Sequence, residues 1–307
     1  MASPPTPVLE PSRPVFLVGP TGTGKSALGL RWAQAARRKG ADCAILCLDS
    51  MQIYRGADVG TGKPTAEERT AFPHGGLDLA DIGEDFDVAR YCEYARSFLE
   101  QHANRPVLVI GGTGLYFRAL TQGLSKIPPV PPELRAELTA LSPDERLARL
   151  RAADPGICEQ LDTANPRRVQ RALEVLLATG TSLLEWQRKG NGPPVVGPHE
   201  AFLLHRERDD LRRRIAKRVS AMFEAGWIEE TARLVEAHGL EIIARFPAIG
   251  YGAIAHALAE VGLDPSALPP PTRARLIEKV TQLTHQYARR QLTWFRREPT
   301  LHVLELA

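Results

Sequence analysis

Short apolar runs alternate with amphipathic stretches over the first 120 residues of the chain. The runs at 15–18, 44–48 and 106–110 are four or five residues long and consist almost entirely of aliphatic side chains. Runs of this length and composition are typical of fully buried strands. The stretch at 27–38, between the first two runs, has apolar residues at helical spacing. The alternation predicts an α/β fold with a doubly wound parallel sheet.

The pattern changes at a proline-rich segment, residues 127–132, after which the chain is wholly helical to about residue 189. We therefore predict an all-helical insertion domain at 122–198. The segments 14–121 and 199–307 then form one catalytic core with a helical C-terminal region. The first 13 residues are rich in proline and predict a disordered lead-in.

The eight residues after the first predicted strand match the pattern G-x-x-x-x-G-K-[ST], and the first predicted helix follows them. In such a loop the main-chain amides and the helix N-terminus bind phosphate oxygens, the lysine adds a positive charge, and the final hydroxyl binds Mg²⁺. The pattern predicts a P-loop NTPase-like, nucleotide-binding core that holds a di- or triphosphate. The residues of this phosphate loop are Gly19, Pro20, Thr21, Gly22, Thr23, Gly24, Lys25 and Ser26.

The strand at 106–110 runs into Gly111 and not into a carboxylate. Enzymes that transfer phosphoryl groups with this loop usually hold Mg²⁺ with an acid at such a strand end. The acid at a strand end in this half is Asp49, after the run at 44–48. Because carboxyl ends of parallel strands share one crevice, Asp49, Thr113 and the phosphate loop are predicted to surround one site. Asp49 as a helix or turn cap remains the alternative.

The composition gives little further information about the fold or the predicted site. The chain is 43% hydrophobic and 24% charged, it has no apolar run of about 20 residues, and its four cysteines show no metal-ligand spacing. We expect a cytoplasmic, monomeric protein with reduced cysteines. The net charge of +3 does not itself indicate nucleic acid, but basic residues cluster at 167–171, 206–218 and 273–297. These clusters favour a polyanionic partner over a merely solvated surface.

The last predicted helix, 272–296, has two different stripes. The apolar stripe is predicted to pack on the core and contains Leu276, Val280, Leu283 and Tyr287. The polar stripe offers amide, guanidinium and hydroxyl groups suited to RNA, from Gln282, Gln286, Arg289 and Thr293.

Several segments, taken in order, carry a resemblance to a known family. They are the phosphate loop, Asp49-Ser50-Met51-Gln52-Ile53-Tyr54, residues 58–64, Gly111-Gly112-Thr113-Gly114-Leu115-Tyr116, residues 166–174 and residues 286–296. Together they resemble the tRNA dimethylallyltransferases, also called tRNA isopentenyltransferases or IPP transferases. The resemblance covers nearly the whole chain after the lead-in. Its Asp-Ser-x-Gln-x-Tyr and Arg-Gln-x-Thr-Trp segments are more specific than the phosphate loop.

The resemblance implies transfer of a dimethylallyl group from dimethylallyl diphosphate to N6 of the adenosine on the 3′ side of the tRNA anticodon, with Mg²⁺ as cofactor. It implies that Asp49 is the general base and that Lys25 and Arg218 stabilise the diphosphate, with Thr113 as a further catalytic residue. Residues 21–26 would contact the prenyl donor. The tRNA contacts implied are Asp49, Ser50, Met51, Gln52, Thr113, Arg135, Arg167, Arg168, Val169, Gln170, Arg171, Gln282, Gln286, Arg289, Arg290 and Thr293.

Two positions depart from the family pattern: His285 stands where arginine is common, and Gly252 stands where a basic residue is usual. Three other functions remain as alternatives. An adenylate isopentenyltransferase of the cytokinin type would share the loop but has little use for a long basic C-terminal half. A small-molecule kinase would lack the Arg-Gln-x-Thr-Trp helix. A non-catalytic RNA-binding module would not need Lys25, Ser26 and Asp49 together.

Overall fold

A parallel sheet forms the centre of the fold. The structure is a computed structural model that describes residues 7–306. In this range six strands form one parallel sheet in the order β3-β2-β4-β1-β5-β6. The strands are β1 (Val15–Val18), β2 (Ala44–Leu48), β3 (His74–Gly75), β4 (Val107–Gly111), β5 (Glu200–Arg206) and β6 (His302–Leu306).

Helices occupy most of the remaining chain. Their bounds are α1 (Lys25–Arg37), α2 (Ala66–Ala71), α3 (Val88–Gln101), α4 (Gly114–Gln122), α5 (Pro132–Ala140), α6 (Pro143–Ala153), α7 (Pro155–Cys158), α8 (Pro166–Thr179), α9 (Leu183–Arg188), α10 (Arg208–Glu224), α11 (Trp227–His238), α12 (Leu240–Ala244), α13 (Tyr251–Ala259) and α14 (Pro270–Phe295), with a short 3₁₀ helix at Pro265–Ala267.

The central strands form where the sequence is continuously apolar. Strands β1, β2 and β4 are buried along their whole length, and β1 lies between β4 and β5. This confirms the predicted α/β fold with a parallel sheet, since strands covered on both faces have no polar alternation. The sequence analysis missed β3, which is two residues long, and β6, whose residues are partly or fully exposed at the edge of the sheet.

The chain divides into two compact units. The first unit contains the residues up to Thr121 and those from Val195 onward, and the second contains Gln122–Pro194. Residues 195–198, which the sequence analysis placed in the insertion, group with the first unit. The sheet, the phosphate loop and helices α10 to α14 lie in the first unit.

The second unit is helical, with a small core of its own between α5, α6 and α8 that includes Leu138, Leu150 and Leu173. A capping box starts helix α6. The Ser142 hydroxyl accepts the Glu145 amide, and the Glu145 carboxylate accepts the Ser142 amide. These paired bonds satisfy amides that the first turn of α6 would otherwise leave open.

Two residues at the end of the predicted lead-in contact the first unit. Leu9 packs against the sheet cluster that contains Trp32 and Leu204, and the Arg13 guanidinium lies 3.2 Å from the Glu200 carboxylate at the start of β5. The disordered lead-in stays a prediction. Residues 1–6 lie outside the described part of the chain.

The cysteines are free thiols, as expected. Burial raises the pKa of Cys43 to about 11 and that of Cys47 to about 12, so neither is a reactive thiolate. No helix among residues 7–306 is both long and apolar enough to cross a membrane.

Candidate active site

The phosphate loop connects β1 to α1 at the carboxyl edge of the sheet. Gly19 leaves β1 so close to β5 that a Cβ atom would lie 2.7 Å from the Leu204 carbonyl oxygen. Gly24 caps α1 with a φ of +93°, a left-handed conformation that glycine adopts without strain. The helix therefore begins at Lys25, and its N-terminus opens into the loop.

Two arginines donate hydrogen bonds to carbonyl groups of the phosphate loop. The Arg206 Nε atom donates to the Thr23 carbonyl at 2.8 Å, and the Arg214 Nε atom donates to the Gly22 carbonyl at 3.1 Å. Both belong to the basic cluster in which the sequence suggested polyanion contacts. These two residues therefore fix the orientation of peptide groups in the loop.

Lys25, Asp49 and Arg218 affect one another's charge. Burial, followed by the Arg218 charge, lowers the pKa of Lys25 to about 7, while the Asp49 charge opposes this shift. Burial likewise lowers the pKa of Arg218, again opposed by Asp49. Part of each of these side chains remains accessible. The three groups therefore lie near each other in a site that is largely buried but partly exposed to solvent. It contains two cationic side chains and one carboxylate.

Asp49 directly follows β2 and turns the chain back across the sheet edge. Its Oδ1 atom accepts the Met51 amide hydrogen at 2.8 Å, the bond expected of a turn-capping aspartate. Burial raises the pKa of Asp49, while the Met51 and Gln52 amides and the charges of Lys25 and Arg218 lower it. The turn-cap interpretation and a chemical role are thus compatible, because capping orients the carboxylate towards the two cations.

Thr113 joins the end of β4 to this turn. The amides of Gly112 and Thr113 both donate to the Leu48 carbonyl, at 3.1 and 3.2 Å. The Thr113 Oγ1 atom accepts the Ser50 amide at 3.0 Å. The predicted meeting of Asp49, Thr113 and the phosphate loop follows from adjacent strands ending at one edge.

Residues 58–62 form a loop beside Arg218. A Cβ atom at Gly62 would lie 2.0 Å from the Arg218 guanidinium, so the absence of a side chain there makes room for the arginine. The Gln52 side chain donates to the Thr61 and Gly62 carbonyls at 3.2 and 3.0 Å. Gln52, assigned to tRNA by resemblance, therefore also ties this loop to the Asp49 turn.

Glu230 was missed by the sequence analysis. Its side chain is 3% exposed and accepts the amides of Asp58, Val59 and Gly60 at 2.7–3.1 Å. The Tyr251 hydroxyl donates to the same carboxylate at 2.6 Å. In the sequence this glutamate is one acid among several on an amphipathic helix, and nothing distinguishes it.

Helix α14 presents polar side chains on both faces. Among the predicted RNA-binding residues of this helix, all five are exposed: Gln282, Gln286, Arg289, Arg290 and Thr293. On the apolar stripe Leu276 and Val280 are buried as predicted, whereas Leu283 and Tyr287 are only partly buried.

Burial and the Asp49 charge raise the pKa of Tyr287, while Arg290 and hydrogen bonds with Thr113 and Gln291 oppose the rise. The Tyr287 hydroxyl therefore lies near the site, which the apolar pattern did not predict.

The two departures from the family pattern have local explanations. The His285 ring lies 3.3 Å from the Arg212 carbonyl, so it contacts α10. A Cβ atom at Gly252 would lie 2.6 Å from the Ala244 carbonyl, so a basic side chain does not fit there without a shift of the backbone.

The second unit holds the remaining predicted tRNA residues, on α5 and α8. Arg167 and Arg168 are exposed at the start of α8, where the Asn165 side chain caps their amides. Val169 is 2% exposed and belongs to the core of this unit. Its expected tRNA contact is therefore wrong for the side chain, because the side chain packs inward.

The other residues of this set surround a buried acid. Glu174 is 5% exposed. Its carboxylate accepts the Gln170 amide at 2.9 Å and lies 3.6 Å from Arg171 and 4.0 Å from Arg135. These contacts orient both arginines within the second unit.

Ser26 is exposed on the first turn of α1, beside Lys25. Mg²⁺ in phosphate sites commonly takes few protein ligands, with water and phosphate oxygens completing its shell. A hydroxyl at this position fits that mode of binding. Within residues 7–306 no cluster of three or more His, Cys, Asp or Glu side chains could hold a metal ion by itself.

Comparisons with known proteins give matches over most of the chain. A family model described as IPP transferase matches residues 52–298. The tRNA dimethylallyltransferase of Methylacidiphilum infernorum (isolate V4) is 40% identical over 293 residues, covering 94% of this chain and 85% of that protein.

Solved structures are similar as well. The full-length tRNA isopentenylpyrophosphate transferase from Bacillus halodurans superposes with a TM-score of 0.60 at 28% identity, covering 96% of this chain and 90% of that one. A eukaryotic dimethylallyltransferase, described as acting on tRNA, reaches a TM-score of 0.71 at 24% identity, covering 96% and 74%. The second similarity shows the fold alone.

Proposed function

This chain belongs to the IPP transferase family, and from that premise we propose that it transfers a dimethylallyl group from dimethylallyl diphosphate to N6 of the adenosine on the 3′ side of the tRNA anticodon. The observation that carries the proposal is the placement of Asp49 beside Lys25 and Arg218 at the phosphate loop. One carboxylate next to two cations suits a reaction in which a proton leaves the acceptor and a diphosphate leaves the donor.

The cations serve the donor. The C1–O bond of the donor breaks and its electron pair leaves with the diphosphate, whose negative charge Lys25, Arg218 and the loop amides stabilise. Both cations have pKa values lowered by burial, so an incoming anion relieves an unfavourable surplus of positive charge. Bound Mg²⁺ would be held by the Ser26 hydroxyl and the donor's phosphate oxygens, and it would supply further neutralising charge.

Asp49 serves the acceptor. As N6 forms a bond to C1 of the donor, one N6 proton passes to the carboxylate, which acts as general base. Burial raises the pKa of Asp49, which increases its basicity, while the Met51 amide keeps one oxygen oriented. Thr113 is 3.0 Å from the Ser50 amide and fixes the turn that carries Asp49.

The exposed stripe of α14 serves the tRNA. Its exposed guanidinium and amide groups would contact the phosphates and base edges of an anticodon stem-loop. The exposed Arg167 and Arg168 offer further phosphate contacts from the second unit. The target adenosine must leave its stack to reach the site, at a cost of a few kcal/mol that pocket contacts offset. As part of this proposal the enzyme acts on tRNA in the cytoplasm as a monomer, since the first unit of one chain supplies the loop, Asp49 and Arg218.

The test is a competition between acceptors. Purified protein receives radiolabelled dimethylallyl diphosphate together with undermodified tRNA and AMP, and label is measured in each. We expect label in tRNA. Label in AMP alone would indicate the adenylate isopentenyltransferase. Phosphate transfer from ATP with no prenyl transfer would indicate a kinase.

A further inference from the structure

Helix α14 carries a buried amide that no step of the proposed reaction uses. Gln291 is 6% exposed, and both ends of its side chain are bonded. Its Oε1 atom accepts the Thr21 amide hydrogen at 2.9 Å, and its Nε2 atom donates to the Gly112 carbonyl at 2.9 Å. One side chain thus joins the phosphate loop to the loop that follows β4.

The backbone is shaped around this contact. A Cβ atom at Gly112 would lie 2.2 Å from the Gln291 Nε2 atom, so glycine is required for the close approach. Three residues further along α14, Trp294 packs against the next glycine in the same way, because a Cβ at Gly114 would lie 2.3 Å from its indole ring. The helix is therefore seated on the residues that flank Thr113.

The bond to Thr21 fixes one peptide group of the phosphate loop. The Thr21 amide donates to Gln291, while Arg214 and Arg206 donate to the next two carbonyls of the loop, those of Gly22 and Thr23. A loop fixed at successive peptides before the ligand arrives has little conformational entropy left to lose on binding. Its remaining amides can then bind diphosphate without rearrangement.

We propose that Gln291 is a positioning residue, which holds the phosphate loop and the Thr113 segment in the arrangement that binds the donor's diphosphate. The inference rests on the proposed function. It goes beyond it by assigning to α14 a role in donor binding that is separate from the tRNA contacts of its exposed stripe.

The test replaces Gln291 with methionine, which keeps the length of the side chain but neither donates nor accepts as glutamine does. We expect inorganic diphosphate with Mg²⁺ to bind the Gln291→Met variant about tenfold more weakly by calorimetry, the effect expected for one or two lost hydrogen bonds. The KM for the donor should rise similarly, while the KM for tRNA should stay unchanged. Val280→Ala, which removes buried volume from the same helix away from the loop, should leave diphosphate affinity unchanged.

The possible outcomes distinguish the positioning role of Gln291 from the proposed function of the protein. If the wild type binds diphosphate and Gln291→Met binds it equally well, the inference is overturned and the proposed function stands. If the wild type does not bind diphosphate, the proposed donor site and the inference both fail. Hydrogen exchange provides a second test that uses only the wild-type protein, so its result does not depend on whether the variant folds. The Thr21 amide should be protected without ligand, and rapid exchange there would overturn the inference.

Discussion

Three charged side chains define the chemistry at the scale of single residues. Burial lowers the pKa of both Lys25 and Arg218, the Arg218 charge also lowers that of Lys25, and Asp49 opposes both shifts. Because burial is the largest cause for each group, the surplus positive charge cannot be dispersed into water. A diphosphate placed here neutralises that surplus, and a carboxylate of raised pKa remains available for the acceptor's proton.

Replacement of Asp49 by asparagine should separate catalysis from donor binding. The amide still accepts the Met51 hydrogen, so the turn is retained, but it cannot take a proton. We expect kcat to fall by about 10²–10⁴-fold, the usual contribution of a general base. Diphosphate affinity should stay near the wild-type value in calorimetry. Asp42→Asn, at an exposed position before β2, is the matched control. Near-normal turnover by Asp49→Asn would remove Asp49 from the mechanism.

The affinity for the donor should depend on pH through Lys25. Its pKa of about 7 means that the side chain is charged below that pH and neutral above it. Affinity of the free enzyme for dimethylallyl diphosphate should therefore fall as pH rises from about 7 to about 9. Lys25→Arg keeps its charge throughout this range and corrects for ionisation of the ligand itself. Parallel pH profiles for the two proteins would contradict the assignment.

The sequence predicted some of these residues and not others for a physical reason. Asp49 and Lys25 follow buried strands, and strand ends of a parallel sheet meet at one edge. Arg218 stands in a cluster of similar arginines, and its placement depends on packing of α10 against Gly62. Glu230 and Gln291 act through bonds to main-chain groups distant in sequence, which no local pattern records.

At the scale of elements, α14 and the loop at 58–62 both contact residues of the site. The helix presents exposed arginines on one face and the buried Gln291 on the other. The loop is held by Glu230 on α11 and contacts Arg218 through Gly62. Each element therefore links the fold of the C-terminal region to residues that follow the strands.

Loss of Glu230 should destabilise the first unit. Glu230→Ala leaves the amides of residues 58–60 and the Tyr251 hydroxyl without their acceptor. Because unsatisfied buried donors are costly, we expect the free energy of unfolding to fall by about 2–4 kcal/mol in urea denaturation. Glu229→Ala, at the exposed neighbouring position, should change it by less than about 0.5 kcal/mol. Equal values for both variants would show that the Glu230 bonds contribute nothing.

The exposed arginines of α14 should govern tRNA binding. Replacing Arg289 and Arg290 by alanine should raise the KM for tRNA. It should also reduce the steepness of the plot of log affinity against log salt concentration by about 1.5, since each phosphate contact contributes nearly one unit. Diphosphate affinity should not change. The control removes Arg38 and Lys39, two exposed cations at the end of α1, and should leave the slope intact. An unaltered slope in the α14 variant would mean that this face does not contact RNA.

At the scale of the whole molecule, the sequence predicted the central strands and the helical second unit but missed an edge strand. Apolar runs predicted the central strands, and the sequence after the proline-rich segment predicted that the second unit is helical. In the edge strand β6 three of the five residues are exposed, and two of these, His302 and Glu305, are polar, so no continuous buried apolar run marks the strand in the sequence. It forms because β5 leaves an unpaired edge beside it, which is information held only in the folded sheet.

The most direct measurement is the position of the transferred group. Purified protein is incubated with dimethylallyl diphosphate, Mg²⁺ and undermodified tRNA, and the tRNA is digested and analysed by mass spectrometry. We predict an N6-dimethylallyl group on the adenosine 3′ of the anticodon, formed with one diphosphate released per modified base. Unmodified tRNA, with ATP consumed to phosphorylate another acceptor, would contradict the account.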